Sequence, residues 1–93
     1  MNPAARYVKD PDATLDYTVS WAGWLPSGDT IDDAAWDVPT GLTESAPSTV
    51  TTTTATVWLS GGTAGERYLV RCRVTTAGGR IDDRTIEVRV VER

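Results

Sequence analysis

Three acidic pairs, one thiol and four tryptophans are the residues in this sequence that could do chemistry. Asp10 and Asp12, Asp32 and Asp33, and Asp82 and Asp83 are clustered carboxylates, and calcium takes about six to eight such oxygens. None of the pairs has the Asp-x-Asp-x-Asp-Gly spacing of a calcium loop with its distant Glu. Adjacent residues of a strand also point to opposite faces, which prevents joint chelation. The pairs therefore read as turn and solvated residues that meet arginines such as Arg80 and Arg84, and no metal site is expected. Two carboxylates can run glycoside hydrolysis, but nothing in the pattern marks two of these as buried and mutually placed. The chain contains no His. That excludes a His general base, a Ser-His-Asp triad and a Cys-His dyad, so no catalytic residue and no cofactor is expected.

Cys72 is the sole cysteine, which rules out an internal disulfide. It shares parity with Tyr68, Val70 and Val74, so it reads as a small buried hydrophobe rather than a reactive thiol. Arg71 and Arg73 flank it and point to the other face. Among the tryptophans, Trp21 fits the buried parity of its strand, and Trp36 with Val38 is expected to face the core. Trp58 faces outward if Val57 and Leu59 face inward, and Trp24-Leu25-Pro26 lies in a connection. An exposed Trp marks an interface, because it offers a large apolar area with one donor. The candidate partner-binding residues are therefore Trp24, Leu25 and Trp58, together with the outward-facing Arg71 and Arg73.

The elements that must hold these residues are strands. Thr occurs 15 times, whereas Lys occurs once and Gln is absent, so β-forming residues far outweigh good helix formers. Leu15, Tyr17, Val19 and Trp21 alternate with Asp16, Thr18 and Ser20, and Tyr68, Val70, Cys72 and Val74 alternate with Leu69, Arg71 and Arg73. Seven strands are expected, at about 15–21, 30–38, 41–45, 48–53, 54–60, 67–76 and 80–91. Ile31 and Trp36 cannot share a face without an irregularity, and Ile81 is out of step with Ile86, Val88 and Val90, which predicts a bulge near 82–85. The threonine tract 49–56 reads as an edge strand or an extended connector. Thr76 to Arg80 reads as a hairpin turn. Tyr68, just after a glycine-containing turn, suits the corner tyrosine of immunoglobulin-like folds. The expected architecture is an all-β, immunoglobulin-like sandwich of about seven antiparallel strands over residues 15–93, preceded by an N-terminal arm over 1–14.

With 93 residues and 10.0 kDa there is room for one small domain. The formal net charge of -4 argues against nucleic acid, which recruits cationic surfaces, although Arg67, Arg71, Arg73, Arg80, Arg84 and Arg89 all fall in the last third of the chain. No apolar run approaches the roughly 18 residues of a membrane span. The opening residues lack a secretory apolar region, so synthesis in the cytoplasm is expected.

Three segments carry a family resemblance: Lys9-Asp10-Pro11-Asp12-Ala13-Thr14-Leu15-Asp16-Tyr17, Val57 through Gly65, and Thr75 through Arg80 with Asp82-Asp83-Arg84. With Trp36-Asp37-Val38-Pro39-Thr40-Gly41-Leu42, they resemble small bacteriophage and prophage virion proteins of the fibre–tail adaptor type. The resemblance runs over nearly the whole chain from Lys9 onward. It implies a single immunoglobulin-like domain and a structural role in the virion. The partners would be other virion proteins of the connector, tail, fibre or coat, with multiple copies in a symmetric assembly made in the host cytoplasm. No catalytic or cofactor residues come with it. Capsid decoration is the near alternative. A glycan-binding module that stacks sugars on Trp24 or Trp58 is the alternative of another class.

Overall fold

A computed structural model describes residues 4–92 of the chain. Among them are seven strands and no helix: β1 Ala5–Lys9, β2 Leu15–Ser20, β3 Ile31–Asp37, β4 Leu42–Val50, β5 Thr54–Gly61, β6 Arg67–Thr76 and β7 Ile81–Val90. They form a four-stranded sheet in the order β1-β7-β6-β3 and a three-stranded sheet in the order β2-β5-β4. The two sheets pack as a sandwich, and the order is compatible with an immunoglobulin-like arrangement. One end of the sandwich carries the β2–β3 connection, the β4–β5 turn and the β6–β7 hairpin. The other carries the β1–β2, β3–β4 and β5–β6 connections.

Alternation builds the core. On β6, Tyr68, Val70, Cys72, Val74 and Thr76 are buried while every intervening residue is exposed. Val57 and Leu59 of β5 meet them from the other sheet together with Trp21, and all three are fully buried. Tyr68 takes the corner role expected of it: the Thr63 backbone N–H donates to its hydroxyl at 2.9 Å. Gly41 makes room for that ring, since a Cβ there would lie 2.8 Å from Tyr68 Cε1.

Several features differ from the expectation. Ala5–Lys9, inside the stretch read as an arm, form β1 and pair in parallel with β7, so one pairing of the sandwich is not antiparallel. The stretches 41–45 and 48–53 are not two strands. β4 runs through both, its register shifting twice around Ala46, next to Pro47, which cannot donate to a ladder. The threonine tract spans the end of edge strand β4, a tight turn at 51–53 and the start of β5, which is central in its sheet. The bulge predicted in the last strand is absent, because β6 and β7 pair without a shift from Arg67↔Arg89 to Thr75↔Ile81. Ile81 is out of step for a simpler reason: beside the hairpin it faces solvent, at 63% exposure. The irregularity expected in β3 is present, between Ile31 and Asp33.

Candidate partner-binding surfaces

On β5, burial of Val57 and Leu59 forces Trp58 to the outside of the three-stranded sheet, where it is 38% exposed. Its cross-strand neighbours are Asp16 on β2 and Ala46 on β4. One step along, Thr18 and Thr56 share a hydroxyl–hydroxyl hydrogen bond of 2.7 Å. The result is a flat face of short polar side chains with one large aromatic ring at its centre. Such a ring contributes contact area without much entropy loss, which is how interface anchors work.

Trp24 and Leu25 sit elsewhere. The backbone N–H groups of both donate to Trp21 O, at 2.9 and 3.0 Å, in a tight turn just after β2. The Trp24 ring stands edge-on to Trp21 with centroids 5.3 Å apart, and both residues are partly buried against the core. Much of their apolar surface is thus spent on closing the end of the sandwich. Arg84 completes that closure: its guanidinium lies 4.2 Å from the Trp21 ring centroid and donates to Ser20 O at 2.8 Å. It was expected to meet a carboxylate; a carbonyl and a π-face hold it instead.

Arg71 and Arg73 occupy the opposite outer face, on β6. Each donates to a carboxylate at 3.1 Å, Arg71 to Asp37 on β3 and Arg73 to Asp83 on β7. Glu87 adds contacts with Arg6 and Arg67 at 3.8 and 3.7 Å. Each exposed pair stabilises little; collectively they make a surface of mixed charge. The five residues singled out from the sequence therefore lie on three separate surfaces. Only Trp24 with Leu25, and Arg71 with Arg73, come together.

Two charged residues that sequence reasoning passed over organise the two ends. Asp29, in the β2–β3 connection, has a side chain only 6% exposed. It accepts from the backbone N–H groups of Thr30 and Gly78 at 3.0 and 2.8 Å, and from Arg80 Nη1 at 3.0 Å. A hydrogen bond from the Thr76 side chain, with these donors, holds its carboxyl below the usual range against the opposing effect of burial. Asp29 thereby ties the connection to the β6–β7 hairpin, beside a shallow cleft of about 390 Å³ lined by Pro26, Gly28, Ala77 and Arg80. At the other end, the fully buried Lys9 donates from Nζ to Gly61 O at 2.7 Å and to Asp10 O at 2.9 Å. Burial lowers its pKa, against the pull of Asp10 and Asp12. Cys72 is fully buried, and burial pushes its thiol up to about 11. No group of three or more His, Cys, Asp or Glu able to hold a metal ion occurs among the described residues.

The model of one protein family, described as podophage GP4 fiber-tail adaptor protein gp77, matches residues 9–89, from buried Lys9 to the end of the β6–β7 pair. The chain belongs to this family. The family's description is that of a phage structural component. No curated protein matches the chain.

Proposed function

We propose that this protein is a non-catalytic virion module that joins fibre to tail through protein–protein contacts, with the Trp58 face as one docking surface. The carrying observation is Trp58 itself: a large ring left outside a core that is already complete, between two fully buried neighbours. An adaptor needs two dissimilar surfaces. The Trp58 face, which carries Asp16 beside the ring, and the Arg–carboxylate face lie on opposite sides of one sandwich. Trp24 and Leu25 close one end, and in this reading Arg71 and Arg73 exchange or share their carboxylates with the second partner. Several copies in a symmetric assembly, synthesised in the host cytoplasm, complete the proposal.

The test is the Trp58→Ala variant supplied to particles that lack the native protein. The variant folds but joins the particle with an affinity weaker by at least about 30-fold, the size of an interface anchor of about 2 kcal/mol. Wild-type occupancy of the variant overturns the assignment of that face. Retention of the isolated chain on host polysaccharide, lost with Trp58→Ala, would instead favour the glycan-binding alternative. A coat rather than tail location in the particle would favour decoration.

A further inference from the structure

Charge is divided unevenly between the two sheets. From Asp10 to Glu66 the chain carries nine carboxylates and no Lys or Arg. Every basic residue among those described lies on β1, β6, β7 or the hairpin between β6 and β7. On that side the charges answer one another: Glu87, Asp37, Asp83 and Asp29 each meet an arginine. The three-stranded sheet has no such internal answer. Asp16 and Glu44 are the charges of β2, β4 and β5, and none of these strands supplies a cation.

Asp16 stands directly across from Trp58. Opposed residues of an antiparallel pair have Cβ atoms about 4.5–5.5 Å apart, so the carboxylate lies beside the indole on the outer face. Asp16 is exposed and makes no hydrogen bond or ion pair with the described residues. Arg84 touches β2 only at Ser20, four residues away and about 13 Å along the strand. That exceeds the Debye length of about 8 Å at physiological ionic strength, so its charge does not neutralise Asp16.

The molecule already contains the pattern that such a pair would complete. Arg84 lies over the Trp21 ring, 4.2 Å from its centroid, while donating to Ser20 O at 2.8 Å. A π-face with an oxygen acceptor next to it holds a guanidinium there. Trp58 with Asp16 presents a π-face and a stronger, charged acceptor, turned outward. We infer that the Trp58 face takes a cationic side chain of the partner protein, seated on the indole and paired with the Asp16 carboxylate. A guanidinium fits best, because it stacks flat on a ring and forks to a carboxylate at once. Trp58 supplies area and ring quadrupole, and Asp16 supplies charge. The short side chains of Thr18, Ala46 and Thr56 leave the approach open. Docking removes water from the pair, which makes both attractions stronger than on an exposed surface. The inference rests on the docking role of this face and adds the chemistry of what docks.

The test uses particles that lack the native protein and measures the affinity of labelled chain added back. Wild-type affinity falls at least fivefold as NaCl rises from about 0.05 to 0.5 M, where screening sets in within a few ångströms. Asp16→Asn, an isosteric change at an exposed position, binds about tenfold weaker at low salt and loses most of the salt dependence. Trp58→Leu keeps apolar area but removes the π-face, and it also binds about tenfold weaker. Thermal melting checks that both variants fold. Either of them binding as tightly as wild type, while Trp58→Ala does not, overturns the cation and leaves the docking face standing. Trp58→Ala bound as tightly as wild type overturns both. Retention on host polysaccharide that is insensitive to salt and lost with Trp58→Ala also overturns the inference, because a neutral sugar on the ring needs no carboxylate–cation pair.

Discussion

Replacing Lys9 by methionine tests how one end of the sandwich is held. The methionine keeps the length and volume of the stem, so little cavity opens, but both donors from Nζ disappear. The carbonyls of Gly61, in the three-stranded sheet, and Asp10, after the edge of the other, then lose their shared partner. A stranded buried acceptor costs about 1–3 kcal/mol. Relief from burying an ammonium offsets part of the sum for the two. The expected net loss is about 1–3 kcal/mol, or roughly 5–20 °C in melting temperature for a domain of this size. The pH dependence carries a sign that packing alone would not produce. Burial lowers the Lys9 pKa below its ordinary 10.5 in the folded state. Below the lowered value both states carry the proton, and the desolvation penalty is present in full. Between the lowered value and 10.5 the unfolded chain binds more protons than the folded one, so stability rises with pH. The neutral amine still donates to both carbonyls. Denaturant unfolding of wild type and Lys9→Met, at pH 7 and at steps toward 10.5, reads both effects. The wild-type advantage is present at pH 7 and widens toward 10.5. A variant as stable as the wild type at pH 7, or a gap that narrows with rising pH, refutes the reasoning.

The remaining predictions are simpler. Gly62→Ala places a Cβ 2.6 Å from Val90 Cγ2 at a φ of +98°, so backbone strain and overpacking together destabilise by about 2–4 kcal/mol, measurable by thermal melting. Cys72 does not react with a thiol reagent at pH 8 until the chain unfolds, since only the thiolate attacks and burial holds the thiol near 11. Its contribution to stability is complete below pH 9 and lost as pH rises toward 11, a loss that Cys72→Ala does not show. The lowered Asp29 carboxyl stabilises above its ordinary 3.8, and that contribution disappears as pH falls through the lowered value. Asp29→Asn melts lower at pH 7, and its difference from wild type shrinks in acid.

The parts of this fold legible in the sequence are those where one face is buried along a whole strand. β2 and β6 alternate cleanly, and the same parity placed Cys72 inside and Trp58 outside. Where short or mixed residues do the burying, the pattern goes silent. β1 presents Ala5, Tyr7 and Lys9 inward, and a lysine at a fully buried position contradicts any hydropathy reading. β4 runs through Pro47 as one strand, because an edge strand tolerates a residue that cannot donate. Ile81 suggested a bulge only on the assumption that an isoleucine must face inward. Asp29 was invisible for a different reason. Its donors Gly78 and Arg80 are 49 and 51 residues away, and only the folded chain brings the β2–β3 connection against the hairpin.

The central claim is that this chain serves by being held between other virion proteins through the face that carries Trp58. Electron cryomicroscopy of particles built with wild type or Trp58→Ala, alongside melting of both purified chains, tests it most directly. The account predicts wild-type density between tail and fibre with the Trp58 face covered. It predicts a Trp58→Ala chain that melts within about 1 kcal/mol of wild type, as a mostly surface substitution should, yet leaves that position empty. Density with the Trp58 face open to solvent, or full occupancy by the variant, would contradict it.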